Sequence, residues 1–378
     1  MPDLRCWLSL AALAHGSMAW AHPWHRHASA DIPVAPTGDW HQVLAAFPLW
    51  IAALVLAGVG RAKTAMLAAT AGTGIVILGC GGREPMEEKS PVEPLIARHF
   101  KPFAPKVSVD WDGRYLLVSS NGLPDHPMMV GIRAWQQQVP LPQPYEGANS
   151  WRIPLHPVKA DRPVSARNAL YRGAIALAVN GVPIFNALNN RGEDAFLAGE
   201  LDEYGGHCGR GDDYHYHIAP VHLEKIVGPG NPIAYALDGY PIYGYGDSDD
   251  AEPLRLDEFN GVDKPEGYRY HATRTYPYIN GGMRGKVTVR SDQVEPQPRD
   301  NPLRPPGRPL PGAVVTGFKG DPASGDCELT YTLGGQTHAL SYGSPDGRVW
   351  TFSRTGPDAR RTVETFRRRG PKGPRPDQ

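Results

Sequence analysis

The sequence predicts a mainly β protein: antiparallel sheets with short helices, plus a small C-terminal β-meander. Three observations carry this. Short runs of β-branched and aromatic residues recur between turn formers along the whole C-terminal three quarters of the chain. Glycine and proline number 43 and 39, above average usage, beside 16 tyrosines, a mixture suited to short strands and many turns. The segment Tyr214-His215-Tyr216-His217 alternates aromatic and imidazole side chains with the period of a strand, which sends successive side chains to opposite faces.

With 378 residues and 41% hydrophobic content the chain can bury a full core. Lysine plus arginine equals aspartate plus glutamate at 39 each, so no global field points to nucleic acid. The N-terminus is an address. Arg5, an apolar run and Ala19-Trp20-Ala21 make residues 1–21 a signal-like segment. The sequence His22-Pro23-Trp24-His25-Arg26-His27 that follows reads as a polar tether, with copper binding as its alternative. Residues 43–80 read either as an apolar hairpin around Arg61-Ala62-Lys63, or as a lipoprotein signal whose box Ile77-Leu78-Gly79-Cys80 presents Cys80 for lipidation. Both readings put the rest of the chain outside the cytoplasm, in the periplasm or at the cell surface, with a membrane anchor.

Residues 83–106 are polar and proline-bearing and read as a linker. The main domain is expected over 107–293. Its first elements are strands at Val107–Asp110 and Tyr115–Ser119 around a turn. Proline-separated runs from Trp135 to His156 suit edge strands and loops. Ala174–Val179 reads as a buried strand turning at Asn180-Gly181 into Val182–Phe185; Asp194–Leu201 suits a short helix, and His222–Val227 a short helix or strand. The apolar run Ile233–Gly244 is interrupted by Asp238-Gly239, where a carboxylate marks either a turn or a site. Asp247–Glu252 is an acidic loop without the spacing of a calcium loop. Residues 294–313 are rich in proline and arginine, a second linker; 314–366 form the small β unit, and 367–378 a basic, disordered tail.

Chemistry concentrates between Leu201 and Pro220, where three histidines and a cysteine fall within eleven residues. Strand alternation puts the imidazoles of His215 and His217 on one face, and the Gly209-to-Gly211 turn can fold His207 back over them. Such a set suits a divalent transition metal, zinc or copper most readily. Asp238, His126 and His271 are the further candidate ligands, His271 because Tyr268-Arg269-Tyr270-His271 echoes the same alternation. Cys208 and Cys327 can form a disulfide, remain free thiols, or in the case of Cys208 join the ligands.

Several blocks then resemble the bacterial YHYH-domain family of exported proteins: Asn121–His126, Asn180–Pro183, Asp202–His207, Tyr214–Pro220, Asp238–Gly244, Leu256–Gly261 and Tyr276–Tyr278, in family order over about residues 107–290. The resemblance implies an exported domain with a histidine-centred site and implies no reaction. Where Phe259 stands, relatives are expected to carry cysteine, so a disulfide there is not implied for this chain. No lipase-like Gly-x-Ser-x-Gly, phosphate-cradling glycine loop or His-Glu-x-x-His occurs. Two classes of function therefore stand: a metal-dependent hydrolase or oxidoreductase, and a non-catalytic surface module with a closed metal site or none.

Overall fold

The computed structural model describes residues 92–246 and 254–370. The signal-like segment, the apolar stretch with Cys80 and the acidic loop Asp247–Glu252 lie outside the described residues, as do 83–91 and 371–378. Among the described residues, no helix is long and apolar enough to cross a membrane.

Part of the expected first linker is structured. Residues Leu95–Phe100 form a short helix, α1, continued by a 3-10 turn at Lys101–Phe103. Ala97, Phe100 and Phe103 are buried, and the His99 Nδ1 lies 2.6 Å from the Tyr235 hydroxyl. Apolar residues at positions 97, 100 and 103 fall on one helical face, so docking buries them. Strands β1 (Ser108–Trp111) and β2 (Tyr115–Ser119) then form the expected hairpin, pinned by Asp112, whose Oδ1 accepts the N–H groups of Arg114 and Tyr115. After a long irregular segment, β3 (Trp151–Pro154) completes this three-stranded antiparallel sheet. The segment is not a loose loop: Met129, Ile132, Trp135, Val139 and Leu141 are all buried.

The chain continues through β4 (Lys159–Ser165), β5 (Ala174–Ala178), β6 (Pro183–Phe185), β7 (Gly206–Cys208) and β8 (Tyr214–Tyr216). Asp194–Leu201 makes only turns, because Gly199 takes a positive φ of 72° that ends the single helical turn begun at Asp194. A four-residue helix α2 (Glu224–Val227) precedes β9 (Ala234–Ala236) and β10 (Pro241–Tyr245). Then come β11 (Gly261–Lys264), β12 (Gly267–Ala272) and β13 (Gly282–Gly285), the last paired with β4.

The central sheet has eight strands in the order β11-β12-β10-β9-β5-β6-β8-β7. It is mixed, since β6 runs parallel to β8 and β10 parallel to β12. All five residues of β5 are buried, which fits a central strand covered on both faces. The histidine hairpin β7–β8 forms the opposite end of the sheet from β11.

A two-stranded ladder of β14 (Thr288–Arg290) and β15 (Gln293–Glu295) leads into the proline- and arginine-rich stretch. That stretch is packed, with Val294, Leu303, Arg304 and Ala313 buried. The predicted meander follows as five antiparallel strands, β16 (Val314–Asp321), β17 (Asp326–Leu333), β18 (Gln336–Gly343), β19 (Val349–Thr355) and β20 (Arg361–Arg367). It shares the core of the preceding domain. Trp135 packs on Tyr331, the Tyr342 hydroxyl donates to the Pro140 carbonyl, and Gly131 and Ile132 exchange backbone hydrogen bonds with Val315. The described residues, 92–246 and 254–370, belong to one compact unit.

Candidate metal centre

The hairpin β7–β8 sets His207 directly opposite His215 in an antiparallel ladder. Its turn closes through backbone bonds between Gly209 and the Asp213 carbonyl and between Asp212 and the Gly209 carbonyl. His217 follows two residues after His215 on the same face. The three imidazoles consequently meet: His207 Nε2 lies 3.0 Å from His217 Nε2, and His215 Nε2 lies 3.1 Å from it. His215 and His217 are buried, and His207 is partly exposed.

The outer nitrogens explain why the inner ones face each other. His215 Nδ1 lies 2.9 Å from the Asp213 carbonyl, and His217 Nδ1 bonds the Asn186 carbonyl. A carbonyl only accepts, so in each ring Nδ1 carries the hydrogen and Nε2 presents a bare lone pair. This is the outer hydrogen-bond pattern found on metal-ligating histidines. The parallel pairing of β6 with β8 supplies the support: Ile184 lies opposite Tyr216, so the neighbouring Phe185 stacks on His215 with ring centroids 3.8 Å apart. Asn186 is itself clamped, its Nδ2 donating to the carbonyls of Ala166 and Ala169 while its Oδ1 accepts from Leu188. Burial first, and the neighbouring His215 second, hold the His217 imidazole down at about 3, against the opposing pull of the Asn186 carbonyl. His207 is held well below the usual histidine range by burial, then by His215 and His217.

Among the described residues, the group of histidine, cysteine and carboxylate side chains whose ligand atoms lie within 4.8 Å of one another comprises His207, His215 and His217. The other three candidates stand apart, each for a physical reason. Asp238 sits in the turn between β9 and β10, where its carboxylate accepts from the Tyr270 hydroxyl at 2.6 Å and the backbone of Gly285 and Tyr240. It is a turn residue. His271 lies on β12, separated from β8 by four intervening strands, with its ring stacked against Tyr243. His126 lies on the tyrosine face of the hairpin: its Nδ1 bonds the Pro127 carbonyl and its Nε2 accepts from the Tyr216 hydroxyl at 2.8 Å. There it stacks on Tyr204 at 3.8 Å, with His222 edge-on at 5.0 Å.

Cys208 and Cys327 are both free and buried. Cys208 follows His207 on β7 and so projects to the opposite face; burial first, then Asp212, Asp213 and Asp202, pushes its thiol well up. On that face Tyr214 donates to Asp202 Oδ2 at 2.8 Å, and Asp202 also accepts from the backbone of Met129 and Gly206. The tyrosines therefore anchor the hairpin while the imidazoles converge on its other side.

Sequence reasoning missed Phe185, Asn186 and Asp213. Only Asp213, two residues before His215, carried a local signal; the other two contribute through a strand pairing that no short-range pattern announces.

Residues 150–255 match the family described as YHYH protein. The chain carries a YHYH domain. The match spans His207, His215 and His217 with their supports Phe185, Asn186 and Asp213, whereas the blocks at Asn121–His126, Leu256–Gly261 and Tyr276–Tyr278 lie outside it. No curated protein and no solved structure matches the chain.

Proposed function

We propose that His207, His215 and His217 of the YHYH domain bind one divalent transition metal ion, zinc or copper, in an exported, membrane-tethered protein. The centre would serve as a metal-dependent hydrolase or oxidoreductase. One observation carries the metal reading: two buried imidazoles have their Nδ1 hydrogens committed to backbone carbonyls, so their Nε2 lone pairs face each other 3.1 Å apart. Two bare lone pairs at that distance repel unless a cation lies between them, and burial disfavours protonation.

The group contains three imidazoles and no carboxylate among the described residues, which favours an open coordination position over a closed site. A zinc ion held by His207, His215 and His217 would lower the pKa of a bound water to about 7, and copper would supply redox chemistry. The protein's own part is to fix His215 and His217 through Asp213 and Asn186, to shield one face of His215 with Phe185, and to leave His207 partly open to solvent.

Metal analysis of the full chain, purified without a histidine tag and reconstituted, tests this. About one equivalent is expected, with large losses in His215→Ala and His217→Ala and none in His222→Ala. Less than about a tenth of an equivalent, or parent-like binding by both variants, ends the proposal. A single equivalent without an exchangeable water position favours the non-catalytic module. Export rests on Arg5, Ala19-Trp20-Ala21 and the Cys80 box. A reporter active only outside the cytoplasm, fused after residue 100, should give signal. Cys80→Ser should block processing if lipidation operates, and leave it unchanged if the apolar hairpin is the anchor.

A further inference from the structure

A cleft of about 330 Å³ opens behind the histidine hairpin, on the side of Asp213 and Phe185. Two of its lining residues also touch His215: Asp213, whose carbonyl lies 2.9 Å from the Nδ1, and Phe185, which stacks on the ring. Its volume lies at the small end of the range of about 300–1,000 Å³ typical of small-molecule sites, room for a single ring.

The wall combines aromatic surface with polar groups that have spare capacity. Trp151 and Tyr145 meet edge to face, their ring centroids 5.2 Å apart. The Trp151 indole N–H is a buried donor with no partner among the described residues. Gln143 uses its Nε2 on the carbonyls of Leu141 and Asp212, which leaves its Oε1 as an acceptor. Asp213 Oδ1 takes the Gly211 N–H, and its Oδ2 approaches His215 Nδ1 only to 3.6 Å. The other charges in the wall are cancelled: Arg299 pairs with Glu295 at 3.3 Å and Asp300 with Arg368 at 2.9 Å.

Each feature narrows the ligand. The uncancelled Asp213 carboxylate opposes an anion. An unpaired N–H calls for an acceptor, and the Gln143 and Asp213 oxygens call for donors; a hydroxyl is both. Aromatic walls suit the apolar face of a ring that carries those hydroxyls on its edge. We propose that this cleft binds one uncharged sugar ring, held against Trp151 and Tyr145 with its hydroxyls directed to Gln143 and Asp213. The inference stands independently of the metal reading, because it uses none of the three converging nitrogens.

Saturation-transfer NMR on the full chain tests it with four probes that share a ring and differ in charge: glucose, N-acetylglucosamine, glucosamine and glucuronate, at equal millimolar concentrations. The two neutral sugars should show transfer, and glucuronate, repelled by the Asp213 carboxylate, should be weaker. Trp151→Phe keeps an aromatic wall and deletes only the unpaired donor and part of the ring, so it should weaken neutral binding about 3–10-fold. Gln293→Leu, a half-buried lining residue on β15, should weaken it as well and leave the fold intact by circular dichroism. Transfer to none of the four probes overturns the proposal. So does stronger binding of glucosamine, which would make the site an amine site, or of glucuronate, or neutral binding that survives unchanged in both variants.

Discussion

Replacing Arg304 by methionine isolates what the proline- and arginine-rich stretch does. Arg304 and Asp212 form a two-pronged ion pair, Nε to Oδ2 at 2.7 Å and Nη2 to Oδ1 at 2.8 Å, with side-chain exposures of 6% and 5%. The guanidinium also donates to the Gln137 carbonyl and lies over the Phe352 ring at 4.6 Å, joining the stretch, the irregular segment and the meander. Asp212 belongs to the turn of the histidine hairpin and accepts the Val139 N–H as well. Arg304→Met keeps most of the apolar stem and abandons a buried carboxylate. Breaking such a pair from one side costs about 3–5 kcal/mol. At roughly 2–4 °C per kcal/mol for a unit of this size, the melting temperature should fall by at least about 6 °C.

The deficit should depend on pH with a definite sign. Burial already raises the Asp212 carboxyl, with Arg304 opposing; without Arg304 it rises further. The folded variant then keeps a proton that the unfolded chain releases near about pH 4, so the variant loses stability as pH increases. Calorimetry at pH 5 and pH 8 should therefore show the larger deficit at pH 8. As a control, Arg360→Met, which breaks an ion pair exposed at 90% and 59%, should change stability by about 0.5 kcal/mol or less. A shift in Arg304→Met as small as that of the control, or a larger deficit at pH 5, would refute the reasoning.

Phe185→Ala removes the ring stacked on His215 and should lower metal affinity about tenfold in chelator competition, with the metal still bound by the same residues. His126 and His222 are each held at about 4, chiefly by burial, against 6.5 in the unfolded chain, so the unfolded chain takes up protons that the fold refuses. Stability should fall as pH drops from about 6.5 toward 4, on the order of 1–2 kcal/mol by pH 5 after allowing for partial exposure. Denaturant midpoints should show that slope, and His126→Gln should flatten it. Alkylation in denaturant without reductant, read by mass spectrometry, should modify both Cys208 and Cys327; a linked pair would contradict the free thiols of the fold.

What could be read in the sequence was what period and local turns encode. The alternation at Tyr214–His217 and the glycine turn were enough to bring His207, His215 and His217 together, because a hairpin is a local object. Four of the five C-terminal strands, β17 to β20, were readable for the same reason, and β16 was not. Long-range pairing was not. Nothing near Phe185 or Asn186 announces that β6 runs parallel to β8, yet this pairing supplies the ring under His215 and the carbonyl on His217. Asp238 looked like a ligand because a carboxylate interrupts an apolar run; it is satisfied by Tyr270 from β12 and by Gly285 from β13. The stretch 294–313 has the composition of a linker, and distant partners, Asp212, the Gln137 carbonyl and the Phe352 ring, make Arg304 part of the core.

X-ray absorption spectroscopy on the reconstituted, tag-free full chain tests the central claim most directly. With zinc, the account predicts one ion per chain with nitrogen scatterers at about 2.0–2.1 Å and outer-shell imidazole scattering from three histidines. Scattering from a sulfur at about 2.3 Å, or no imidazole pattern at one equivalent of bound metal, would contradict it.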